Sequence, residues 1–144
     1  MFDSILVVCV GNICRSPTGE RLLKHALPGK TVASAGLGAL VGNPADRMAN
    51  EVAAQHGLSL EGHSARQLTG ALCRQFDLIL VMEKGHIDAV GRLAPEVRGK
   101  TMLFGHWLNQ QEIDDPYRRS RETFEMVYTQ LEQSAHQWVQ ALSR

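Results

Sequence analysis

Apolar and polar positions divide the chain into short strand-like runs and longer helix-like ones. Ile5, Leu6, Val7, Val8 and Val10 are almost continuously apolar, the pattern of a strand buried on both faces, and set a first strand over Ser4 to Val10. Ser16 and Pro17 then open a helix that runs through Leu27, with Ser16 as its cap and Pro17 at the first helical position, where no N–H partner is needed. Thr31 to Ala35 reads as a second strand, and Ala45 to His56 as a helix stopped by Gly57. Asp77 to Met82 reads as a third strand, Lys84 to Leu93 as helical, and Lys100 to Phe104 as a fourth strand. Cys73 falls in a helix-like stretch and is expected in the core. Arg121 to Leu142 is a long amphipathic helix, with Phe124, Val127, Leu131, Trp138, Val139 and Leu142 near one face. Strands alternating with helices predict parallel strands and right-handed crossovers. The expected fold is α/β, a three-layer sandwich with a four-stranded parallel sheet, in a single domain over residues 1–144. In such folds ligands sit beyond the C-terminal ends of the strands, so the segment after the first strand is the expected site.

Composition narrows the function classes. Lysines and arginines number 15 and acidic residues 15, which argues against a dedicated nucleic-acid or membrane-surface binder. The apolar run from Ile5 to Val10 is too short to span a bilayer, and with no basic segment before it and no small-residue cleavage site after it, it does not read as a secretory signal. The three cysteines, Cys9, Cys14 and Cys73, form no disulfide framework and fit a reducing compartment, the cytoplasm.

The loop after the first strand carries the chemistry. Between Cys9 and Arg15 the chain must turn from a strand end into a helix start. Gly11 tolerates positive φ freely, and Asn12 is among the few other residues that visit it. A tight turn of this kind aims successive backbone N–H groups, from Val10, Gly11, Asn12, Ile13 and Cys14, at one concave spot. Such a nest binds an anion, and the following helix N-terminus adds partial positive charge. Arg15 closes the cradle with a planar fork of donors suited to phosphate. Cys9 enters from the strand side, where the same environment favours its thiolate, the reactive form. The Ser16 hydroxyl is placed to hydrogen-bond that sulfur. Cys14 lies within the loop and has two readings: a reversible disulfide partner that shields Cys9, or a packed inert thiol.

Hydrolysis of a phosphate ester also requires a proton for the leaving oxygen. Asp115-Pro116 is the best candidate, because proline pushes the residue before it into an extended conformation that presents the carboxyl from a loop. Leu40 and Tyr117 are expected as apolar walls for a substrate ring. Gly36, Gly38 and Gly42 have the wrong spacing for a dinucleotide loop and read as loop flexibility. His63 and Arg66 read as structural. The six histidines show no metal-ligand spacing, and thiolate chemistry calls for neither metal nor cofactor.

The run Cys9-Val10-Gly11-Asn12-Ile13-Cys14-Arg15-Ser16-Pro17 resembles the signature of the low-molecular-weight protein tyrosine phosphatases. The resemblance continues through Ser34-Ala35-Gly36, His63-Ser64-Ala65-Arg66, Asp77 to Lys84 and Asp115-Pro116-Tyr117, and so covers essentially the whole chain. The stretch from Arg98 to Trp107 is similar to the enterobacterial branch, whose members work beside autophosphorylating tyrosine kinases that control exopolysaccharide export. The resemblance implies Cys9 as nucleophile, Arg15 as phosphate ligand and Asp115 as general acid. It implies a phosphotyrosine protein as partner, the cytoplasmic domain of a membrane kinase. Thioredoxin-linked arsenate reductases share this cradle and fold but need a further cysteine pair after the third strand, and Met82 to Asp88 holds no cysteine. A non-catalytic phosphotyrosine-binding module would need neither Cys9 nor Asp115.

Overall fold

A computed structural model describes residues 2–143. The chain forms β1 (Ser4–Cys9), α1 (Arg15–Ala26), β2 (Thr31–Gly36), α2 (Arg47–Gln55), α3 (Gly70–Gln75), β3 (Leu78–Val81), α4 (Lys84–Leu93), β4 (Thr101–Leu103) and α5 (Arg121–Leu142), with a 3-10 turn at Pro95–Lys100. The four strands pair in parallel in the order β2-β1-β3-β4. The order places β1 between β2 and β3, with Val8 opposite Ala35 on one side and Val81 on the other. The direction of crossover therefore reverses at β1, and Cys9 is its last residue.

Strand periodicity distributes the core. Ile5, Val7 and Cys9 face a cluster completed by Leu23 of α1 and Val127, Leu131 and Trp138 of α5. Leu6 and Val8 face the opposite cluster, with Cys73 of α3 and Val90 of α4. Both sets of β1 side chains are buried, as expected of a strand covered on two faces. Each such aliphatic side chain contributes about 1.5–3 kcal/mol on burial. Trp138 adds a directional tie, its Nε1–H donating to the Phe104 carbonyl at 2.8 Å just beyond β4. No helix among the described residues is long and apolar enough to cross a membrane.

The three-layer arrangement and its parallel sheet match the expectation, and Cys73 is fully buried. Several boundaries differ. The start of α2 moves to Arg47 because the Asp46 carboxylate accepts from the N–H groups of Met48 and Ala49. Gly57, at φ 78°, ends that helix as expected. The start of α1 needs a larger correction. Cys14, not Ser16, is the N-cap residue, it makes no side-chain cap bond, and Pro17 falls at the third helical position. Ser16 does not cap because its hydroxyl is engaged by Cys9 and Asn12.

Gly36 ends β2 directly against the loop that follows β1. A Cβ built there would collide with the Val10 carbonyl oxygen and come within 3.0 Å of the Asn12 Cβ and 3.1 Å of the Ala39 Cβ. The backbone on both sides is hydrogen-bonded, so neither can yield cheaply. Gly36→Ala is expected to lower stability by about 1–3 kcal/mol in urea unfolding, with a larger proportional loss of anion binding than a remote change of equal stability cost.

Candidate active site

Five consecutive carbonyls shape the loop between β1 and α1. Val10 O accepts from Gly38 N at 3.0 Å, Gly11 O from Leu40 N at 3.1 Å and Ile13 O from Asp46 N at 2.8 Å. Asn12 O meets His63 Nε2 at 2.6 Å, and Cys14 O accepts from the Thr18 hydroxyl at 3.1 Å. A carbonyl only accepts, so His63 carries its proton on Nε2. Across a trans peptide the C=O and the following N–H point in opposite directions, and no described peptide is cis. With the carbonyls held outward, the N–H groups of Gly11 through Arg15 are turned inward. The positive φ that closes the turn falls on Asn12, at 58°, while Gly11 does not take a positive φ.

Asn12 is also the hub behind the loop. Its Oδ1 accepts from Arg66 N at 2.9 Å, which fixes the amide orientation and sends Nδ2 the other way. Nδ2 donates to Ser16 Oγ at 2.7 Å and to Ser34 Oγ at 3.1 Å. Each serine must then spend its own proton elsewhere. Ser34 donates to Glu20 Oε1 at 2.7 Å. Ser16 donates to Cys9 Sγ at 2.9 Å, and Ser16 N–H reaches the same sulfur at 3.4 Å. The sense of the whole network thus makes Cys9 Sγ an acceptor, the role a thiolate fills.

Arg15 lies almost wholly buried. Its Nη1 donates to Glu83 Oε2 at 2.7 Å and to the Ile113 carbonyl at 2.8 Å. Nη2 stands 3.8 Å from Asp115 Oδ2, and Nε is buried with no partner among the described residues. Nε–H and Nη2–H form one edge of the guanidinium, the edge suited to two parallel bonds to an oxyanion. Glu83 and Ile113 hold the opposite side and leave that edge for a ligand. Asp115 is presented from a turn in which its Oδ1 accepts from Tyr117 N at 3.1 Å. Arg118 places its guanidinium 5.2 Å from the Tyr117 ring centroid.

These groups meet on one cavity of about 180 Å³, walled by Cys9, Val10, Gly11, Ile13, Cys14, Arg15, Gly38, Leu40, Asp115 and Tyr117. A more open hollow of about 620 Å³ beside α2, between Pro44 and Gly62, is larger but is lined by no cysteine and no cation, and Glu61 is its one charged side chain. Leu40 and Tyr117 are exposed at the mouth of the smaller cavity, as is Val10. Of the residues that sequence points to, only Asn12 and Ser16 lie off the cavity wall, fully buried behind it. Cys14 packs against Ala49, Val52, Phe124 and Tyr128. Burial, followed by the charge of Asp46, pushes its thiol well above the usual value.

Sequence reasoning assigned no role to the supports Ser34, Glu20, Glu83 and the Ile113 carbonyl, although Ser34 and Glu83 fall in stretches that carry the family resemblance. Their positions carried no local signal, because each reaches the cradle from a distant element. His63 and Arg66 do brace it, as expected of structural residues.

A parallel α/β sheet that ends in a cysteine, inside a ring of inward amides closed by an arginine, defines a thiol-bearing oxyanion cradle. The comparisons with known proteins carry the assignment further. Residues 4–144 match the model of the low molecular weight phosphotyrosine protein phosphatase family, and the chain belongs to that family. It is 67% identical over 144 residues to the probable low molecular weight protein-tyrosine-phosphatase AmsI of Erwinia amylovora, with all of both chains covered. It is 66% identical over 143 residues to Wzb of Escherichia coli K12, covering 99% of this chain and 97% of the relative. The crystal structure of Vibrio vulnificus Wzb in complex with benzylphosphonate superposes with a TM-score of 0.96 at 57% identity, covering 98% of this chain and 99% of that one.

Asn12→Asp keeps the shape of the hub but replaces the Nδ2 donor with an acceptor, freeing Ser16 to turn its proton away from Cys9. Inactivation by iodoacetate, which reads thiolate availability, should slow by about tenfold, the scale of one hydrogen bond of roughly 1.4 kcal/mol. Mass spectrometry of the folded wild-type chain should find the label on Cys9 and none on Cys14. Equal labelling of both cysteines would contradict the packing described.

Proposed function

We propose that this chain is a protein-tyrosine phosphatase that hydrolyses phosphotyrosine through a phosphocysteine at Cys9. The observation that carries the reading is the meeting of Cys9 Sγ, the free edge of Arg15 and the Asp115 carboxyl on a single cavity. Cys9 thiolate attacks phosphorus in line, and the tyrosyl oxygen leaves with a proton from Asp115. The phosphoryl group then sits on sulfur until water, deprotonated by Asp115, displaces it and returns the thiolate. Arg15 Nε and Nη2 and the amides of Gly11 to Arg15 hold the equatorial oxygens, where charge is concentrated in the transition state. The Ser16 hydroxyl serves both steps, favouring the thiolate before attack and stabilising it as the leaving group afterwards. Leu40 and Tyr117 flank the mouth with apolar surface, which suits an aryl ester better than a short alkyl one.

The physiological substrate in this reading is an autophosphorylated bacterial tyrosine kinase of exopolysaccharide production, dephosphorylated on its cytoplasmic domain. The enterobacterial relatives at 66–67% identity support that branch, and the unpaired cysteines are consistent with the cytoplasm. Arsenate reduction finds no support: Cys73, the one cysteine outside the loop, is fully buried.

Cys9→Ser is expected to abolish turnover of para-nitrophenyl phosphate while leaving the unfolding midpoint near that of wild type. Substantial residual activity would sink the assignment of the nucleophile. Asp115→Asn should slow phosphoenzyme formation by about 10²–10⁴ for poor leaving groups and much less for good ones. A loss independent of leaving-group pKa, measured across a series of aryl phosphates, would remove Asp115 from the role of acid.

A further inference from the structure

The clamp on Arg15 has a third member. His86, in the first turn of α4, is buried, and its Nε2 lies 3.7 Å from Glu83 Oε2. That oxygen is the one that accepts from Arg15 Nη1 at 2.7 Å. Glu83 is the N-cap residue of α4, yet its side chain makes no cap bond. The Lys84 N–H is served instead by Glu112 Oε2 at 2.8 Å. The Glu83 carboxylate is therefore free of helix duty: Arg15 donates to it, and His86 stands just beyond hydrogen-bond distance. On the far side of the ring, Nδ1 is buried with no partner among the described residues. A neutral imidazole with its proton on Nε2 leaves Nδ1 as a bare acceptor, which is tolerable; a proton there would be an orphaned buried donor.

We propose that His86 is a pH-sensitive positioning residue for the cradle: neutral, it leaves the Glu83 carboxylate to Arg15 Nη1, and on taking a proton at Nδ1 it pairs with that carboxylate, draws it away and loosens Arg15. The inference rests on Arg15 holding the substrate's phosphate. The charges that face the ring are Glu83, Arg15 from α1, and Glu112 and Asp115 from the segment after β4. Burial is the largest influence and holds the imidazole below its ordinary 6.5, ahead of the opposing pull of Glu83. The sign follows from linkage. The unfolded chain binds the proton more readily, so the stabilising effect of neutral His86 is complete above pH 6.5 and is lost as pH falls through the lower folded value.

Sulfate is the probe, because it stays a dianion across the useful range and needs no turnover. Its affinity is measured by calorimetry between pH 5 and pH 8 for wild type, His86→Gln and His86→Leu. Glutamine keeps a neutral donor and cannot titrate. The wild-type to glutamine affinity ratio should stay near one at pH 7.5 and fall at least threefold by pH 5. The leucine variant, which cannot titrate either, should bind like wild type at pH 7.5 and at least threefold more tightly than wild type at pH 5. A ratio to glutamine that stays flat with pH overturns the inference, and so does a folded leucine variant that loses affinity in step with wild type as pH falls. Should the leucine variant fail to fold, the glutamine arm decides alone. Wild-type chain that binds no sulfate defeats the reading of the cradle itself, whereas a flat ratio in a chain that binds it defeats only the role of His86.

Discussion

The outward hold on the carbonyls of Val10 to Cys14 is the constraint on which the site depends. A loop of five peptides has no reason of its own to point every amide inward, since its carbonyls and amides both need partners. Here the carbonyls find theirs in the segment after β2, in His63 and in Thr18, and the amides are left convergent. The sheet order brings these partners together. β2 lies beside β1, so the chain leaving Gly36 runs alongside the loop and pairs with it residue by residue. Gly36 lacks a Cβ because that approach leaves no room for one.

A buried arginine is the second constraint. A guanidinium out of water is costly unless its donors are matched. The Glu83 carboxylate and the Ile113 carbonyl match one side of Arg15. Ile113 is itself fixed, its N–H donating to the Met82 carbonyl at the end of β3. Arg15 is thus referenced to β3 while Cys9 is referenced to β1, and the pairing of those two strands sets the distance between nucleophile and cation. The hydrogen-bond sense propagated from Arg66 N–H through Asn12 to Ser16 then decides how the sulfur is addressed.

Much of this was legible in the chain. A short, continuous apolar run bounded by turn residues reads as a strand covered on both faces, so β1 was legible from pattern to within one residue of its end at Cys9. The Cys9-to-Arg15 spacing and the Asp115-Pro116 turn carried their chemistry in residue type and neighbours. The start of α1 was misread because Ser16 has the chemistry of a cap, and nothing local reveals that its hydroxyl is taken by Cys9 and Asn12. The roles of Glu20, Ser34 and Glu83 were hidden for a related reason. Each looks like an ordinary polar residue until folding brings it next to the loop from 14, 22 or 68 positions away along the sequence from its partner.

The bonds from Gly38, Leu40 and Asp46 to the loop carbonyls all run through backbone N–H groups. The cradle therefore asks nothing of the side chains at positions 39 to 41 beyond room for the main chain. Leu40 alone among them lines the cavity, so the side chain a ligand meets there can differ while the backbone bonds that hold the cradle stay in place. The cradle and its rim are thus held by different parts of the chain: main-chain bonds keep the one in place, and the side chain at position 40 shapes the other.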